Sequence, residues 1–138
     1  MMNADPKGIE SRNDAIFLGL LLRSPEAELH EQAEALRKEA PENPNVAATC
    51  GLSLYQRDRA EDAVALMQKL TPEQLRVPGA ARYYGIFLSA TARRTEAVEF
   101  LGLGEGGFVL PEEVALIEQA RTAAASTPAY IFRRANER

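Results

Sequence analysis

The sequence predicts an all-helical protein made of repeated helix hairpins, and three observations carry that reading. The first is a period. Moved forward by 34 residues, Ala47, Gly51, Leu54, Arg59, Ala63 and Val64 meet Ala81, Gly85, Leu88, Arg93, Ala97 and Val98. Six identities in so short a window compare with roughly one or two from average residue usage. The same shift applied backward gives a weaker match, with Leu18, Leu20, Arg23 and Leu36 recurring as Leu52, Leu54, Arg57 and Leu70. A repeat of this length marks stacked supersecondary units. The second observation is a series of helix start signals, and the third is apolar spacing of the helical kind, as at Ala63, Met67 and Leu70, with no sustained strand-type alternation.

Taken in order, these signals place seven helices near 11–22, 25–39, 45–56, 59–70, 79–91, 94–102 and 111–124. The first holds the longest apolar run, Ala15 to Leu22. That run is too short to span a bilayer, and it follows Asp5, Glu10 and Asp14, where a secretory signal would carry positive charge. Ser24-Pro25-Glu26 opens the second helix with a capping hydroxyl, a proline at the first helical position and an early acid. Asn43-Pro44 opens the third, and Asp58-Arg59-Ala60-Glu61 opens the fourth in capping-box form with Asp58 as the cap. Thr71-Pro72-Glu73-Gln74 starts a short turn. The fifth and sixth helices repeat the third and fourth. Gly102, Gly104, Gly106 and Gly107 then predict early fraying and a flexible loop. Leu110-Pro111-Glu112-Glu113 starts the last helix, and the tail from 126 to 138 is either a disordered end or a docked segment, with Tyr130, Ile131 and Phe132 as its anchors.

These residues give the chain a resemblance to the tetratricopeptide repeat (TPR) family, whose pattern is W-x2-L-G-x2-Y, then A-x3-F, then P. The second unit reads Ala47-x2-Cys50-Gly51-x2-Leu54 with Ala63-x3-Met67, and the third reads Ala81-x2-Tyr84-Gly85-x2-Leu88 with Ala97-x3-Leu101. The first unit is degenerate, Asn13-x2-Ile16-Phe17-x2-Leu20, but keeps Pro41 at the terminal proline. The resemblance implies a right-handed superhelix of antiparallel hairpins, an α-solenoid. It would be one domain over 1–125, with repeats at about 10–43, 44–77 and 78–111, a capping helix at 112–124 and a tail at 126–138. Small residues such as Gly51 with Ala63, and Gly85 with Ala97, would let the two helices of a hairpin approach closely. Phe17 breaks that pattern in unit one.

The resemblance also implies where partners lie, along the concave surface made by the first helix of each pair. That surface would present Leu18, Leu21 and Leu22 from unit one, Thr49, Leu52, Tyr55 and Gln56 from unit two, and Arg82, Tyr83 and Ile86 from unit three, with Ala48 and Ser89 beside them. Mostly apolar, it suits an amphipathic helix or an extended apolar peptide. The alternative is that the chain's own tail or a second copy fills it. Some family members hold a C-terminal carboxylate there with Lys, Asn and Arg. The corresponding Asp14, Leu18, Thr49, Gly79 and Tyr83 do not fit that clamp.

Composition narrows the rest. A net charge of −4 argues against bulk attraction to nucleic acid or anionic lipid. The single cysteine, Cys50, allows no internal disulfide and is expected to be a buried hydrophobe. The single histidine, His30, is expected to be exposed on its helix near Glu26 and Glu34. No catalytic, cofactor-binding or metal-binding residues are expected, and no cofactor. Charge is uneven: residues 26–42 carry six Glu against Arg37 and Lys38, a net of −4, and residues 76–96 carry four Arg against Glu96, a net of +3. Two solvated helix faces account for this, and head-to-tail stacking would also use it. The expectation is a soluble, cytoplasmic, non-enzymatic scaffold or adaptor binding another protein or peptide, with homo-oligomerisation as the alternative and with neither nucleic-acid binding nor membrane insertion.

Overall fold

The computed structural model describes residues 6–24, 28–106 and 109–136, with side chains described between 8 and 125 inside those spans. Every regular element among the described residues is helical: α1 Pro6–Leu21, α2 Glu28–Glu39, α3 Pro44–Gln56, α4 Ala60–Met67, α5 Pro72–Leu75, α6 Pro78–Ser89, α7 Arg94–Leu103 and α8 Pro111–Asn136. The count is therefore eight rather than seven. The extra element is α5, a single turn that the sequence marked only as a turn. It is closed by a complete capping box, with Thr71 Oγ1 accepting from the Gln74 amide at 3.1 Å and Gln74 Oε1 accepting from the Thr71 amide at 2.9 Å.

Other start signals divide. Asn43 caps α3 as expected, its Oδ1 accepting from the Asn45 and Val46 amides. At α8 the acid of the signal reaches back, Glu113 Oε1 accepting from the Leu110 amide at 2.9 Å. The Asp58 cap is overturned. Arg59 occupies the N-cap of α4 with no side-chain capping bond, and Asp58 sits instead in the left-handed region at φ 62°. The tight reversal out of α3 demands a left-handed residue there, and Asp tolerates that conformation better than most. The Ser24-Pro25-Glu26 signal falls mainly on residues outside those described. α1 begins well before the expected residue 11, and α8 continues to Asn136.

Helices joined by short connections pack on each other, α1 with α2, α3 with α4 and α6 with α7. α3 also packs on α1, α2 and α6, while α6 meets α4, α5 and α8, and α7 meets α8. The core follows this order, from Leu20 and Leu36 through Val46, Leu52 and Met67 to Ile86, Phe87 and Leu88. α6 is its axis, with every residue from Ala80 to Ser89 buried.

The glycines refine the expected close approaches. A Cβ on Gly85 would lie 2.8 Å from the backbone nitrogen of Leu101, so this glycine does let α6 and α7 close as a hairpin. Gly51 differs. Its nearest neighbours are the ring atoms of Phe87 on α6, so it admits a side chain from the next unit rather than serving chiefly the α3–α4 approach. In unit one the close contact is made by Gly19, whose Cβ would stand 2.9 Å from a Leu29 methyl, and not at Phe17. Gly104, just after α7, makes a further close approach. The helix runs through Leu103, and a Cβ on Gly104 would meet Arg82 Cα at 2.6 Å. Only a glycine lets the chain lie so close to the α6 backbone.

Candidate functional site

The residues expected to line an open surface are split by burial. Leu18 of α1 and Leu22, the residue just after it, are 41% and 59% exposed, while Leu21 is buried. On α3, Thr49 and Leu52 are buried, and Tyr55 and Gln56 are half-buried. On α6, Arg82, Tyr83 and Ile86 are all buried, as are the flanking Ala48 and Ser89. An open apolar groove through Leu52, Tyr83 and Ile86 is thus overturned.

Aromatic packing and α8 are what close it. Phe17 of α1 meets Tyr83 of α6 edge-on with ring centroids 5.5 Å apart, and Tyr55 and Tyr83 both pack on Phe87. The Tyr83 hydroxyl donates to Glu113 Oε2 of α8 at 2.6 Å. Burial first, and then this bond to a carboxylate, push the Tyr83 hydroxyl well above the ordinary phenol range. Gln56 Nε2 donates to the Leu20 carbonyl at 2.8 Å and ties α3 to α1.

Two open regions adjoin these residues. One is a cleft of about 350 Å³ in which Arg23, Tyr55, Gln56 and Asp58 face Leu116 and Gln119 of α8. The exposed Leu18 and Leu22 lie four residues apart at the end of α1, with the Leu22 amide donating to the Leu18 carbonyl, and the chain leads on to Arg23. The other is a larger polar cleft of about 580 Å³ between α2, α3 and α4. It holds two ion pairs, Glu34 with Arg37 and Arg59 with Asp62, and also Arg57, Lys69 and His30.

His30 departs from its expected place on an open helix face. Its Nδ1 shares a 2.6 Å hydrogen bond with Ser53 Oγ, and Arg57 Nη2 donates to the same oxygen at 3.4 Å. Partial burial, then the nearby Arg57 charge, lower the imidazole pKa. The His–Ser distance would suit a nucleophile and its base. Ser53, however, is 2% exposed, so no substrate carbonyl reaches its oxygen. Cys50 is buried as expected, and its Sγ donates to the Ala33 carbonyl. Its thiol is pushed up to about 12, chiefly by burial, which makes it a poor nucleophile. No cluster of three or more His, Cys, Asp or Glu able to hold a metal occurs among the described residues. Nor is any described helix long and apolar enough to cross a membrane.

Sequence reasoning missed Glu113 and the His30–Ser53–Arg57 group. The signal for Glu113 was present as the acid three residues into the α8 start. For His30 there was none, because its partners lie on another helix.

No protein-family profile matches the chain, and neither a curated protein nor a solved structure matches it.

Proposed function

We propose that this chain is a protein-interaction module, a TPR-like solenoid acting as scaffold or adaptor. The 34-residue repeat supports the architecture, together with three successive helix pairs followed by α8. The observation that carries the binding reading is the Leu18–Leu22 pair, two large apolar side chains at the C-terminal end of α1 that the fold leaves in water. The cleft at Tyr55 and Leu116 adds a half-buried aromatic beside them, the kind of group that anchors a partner's side chain. The occupant is an apolar-faced helix or peptide of another protein. Its seat is this edge, since Leu52, Tyr83 and Ile86 belong to the core.

Self-association is the second reading, favoured by the same pair, because an exposed apolar stripe on a terminal helix can pair with its copy. The test is affinity capture with the wild type and with a Leu18→Ser, Leu22→Ser double variant, beside light scattering of both. A partner captured by the wild type and lost with the variant supports the module. A concentration-dependent dimer abolished by the variant supports the second reading. A monomer that captures the same proteins with or without the substitutions defeats both.

A further inference from the structure

The strongest unexplained feature is at Arg82, the neighbour of Tyr83 on α6. Arg82 is 8% exposed and lines a pocket of about 150 Å³ between α6, α7, the glycine segment and α8. Its Nη2 donates to the Gly104 and Gly106 carbonyls at 3.0 and 3.1 Å, which fixes the guanidinium plane. Its Nε is buried with no hydrogen-bond partner. A buried guanidinium with its Nε unmet is costly, and such a group in a folded protein calls for a specific explanation.

The walls say what would meet it. Leu101, Val109 and Ile117 are aliphatic, and Arg121 stands at the pocket paired with Glu105 at 2.9 Å, both half exposed. The charged lining is thus Arg82 and Arg121 against Glu105, a net of +1. We propose that this pocket binds a small aliphatic monocarboxylate. One negative charge balances the lining, and a planar carboxylate matches a guanidinium edge. A cavity of this size holds about six non-hydrogen atoms, since one of similar volume takes benzene. Water alone would find few polar partners beside aliphatic walls. Phosphate, more highly charged and more strongly hydrated, would lose too much solvation there. The ligand's carboxylate lies against the Arg82 guanidinium where it lines the pocket. The inference does not depend on the protein-binding reading above.

The test is a titration of the full chain followed by NMR, using isobutyrate, its neutral isostere isobutyramide, and inorganic phosphate. The readouts are the Gly104 and Gly106 amides and the Arg82 Nε–H. Isobutyrate should saturate with a millimolar Kd, the level open to so small a ligand, and bind at least about tenfold tighter than isobutyramide. Arg121→Gln should weaken binding by about two- to fivefold and Glu105→Gln should strengthen it by a similar factor, as expected for half-exposed charges. Arg82→Lys, which keeps the charge but not the fork, should abolish saturation. If that variant fails to fold, the two surface variants and the wild-type titrations still decide. Isobutyramide or phosphate binding as well as isobutyrate, no saturation up to about 100 mM, or unchanged affinity in both surface variants would each overturn the proposal.

Discussion

Helices α1 and α6 carry comparable apolar stretches, yet one is half bare and the other is sealed. From Ala80 to Ser89 every residue of α6 is buried, because α3, α4, α5, α7 and α8 surround it. α1 packs mainly on α2 and α3, and it leaves Leu18 and Leu22 in solvent. The difference lies in neighbours rather than in composition. A helix in the middle of a stack has both flanks covered and loses its open face as well when a later helix folds over it. A helix at the edge keeps a stripe uncovered. Tyr83 and Leu18 were equivalent candidates for a binding surface, and only the one at the edge stayed available.

The largest effect expected from this contrast is at Phe87. It is fully buried, its ring lies against Gly51, and Tyr55 and Tyr83 pack on it. Phe87→Ala should cost about 3–5 kcal/mol, read from urea denaturation. A loss near zero would mean that α6 is not the axis of the core.

Two glycines only two positions apart should respond in opposite senses. Gly104→Ala drives a methyl into the Arg82 backbone and should destabilise by about 1–3 kcal/mol. Gly102 lies within α7 with open space where its Cβ would be, so Gly102→Ala should stabilise by about 0.4–1 kcal/mol. Thermal melts of the pair would show whether the glycine segment is built or slack.

At the other end of the scale, Leu18→Ser with Leu22→Ser should change stability by no more than about 0.5 kcal/mol per site, as exposed positions do. A loss of several kcal/mol would show that the stripe is part of the core after all.

The smallest effect concerns His30. Its folded-state pKa lies below the ordinary 6.5, so the fold favours the neutral ring. The unfolded chain then binds more protons on acidification, and stability falls as pH drops below 6.5. Urea midpoints compared at about pH 7.5 and about pH 5 should show this decline, and His30→Gln should make it shallower. An identical slope in the variant would remove His30 as a contributor.

Much of the local structure was legible because its causes are local. Asn43 and Thr71 cap helices through bonds to amides two or three residues away, which residue type and spacing alone reveal. Asp58 carried the same signal and was misread, because a left-handed turn residue and a cap draw on the same amino acids. The candidate site was legible only in part. Leu18 and Leu22 are exposed and Tyr55 is half-buried, whereas Leu52, Tyr83 and Ile86 are buried.

The sequence by itself determined that the chain is helical, where most of its helices begin, that its units recur every 34 residues and that Cys50 would be inside. Tertiary structure alone decided which apolar faces stay open. It set Glu113 against Tyr83, Ser53 against His30, and the Gly104 and Gly106 carbonyls against Arg82. The physical reason is range. Caps and periodicity act within a turn or two of helix, whereas burial depends on which distant segment arrives to exclude water, and no spacing along the chain records that arrival.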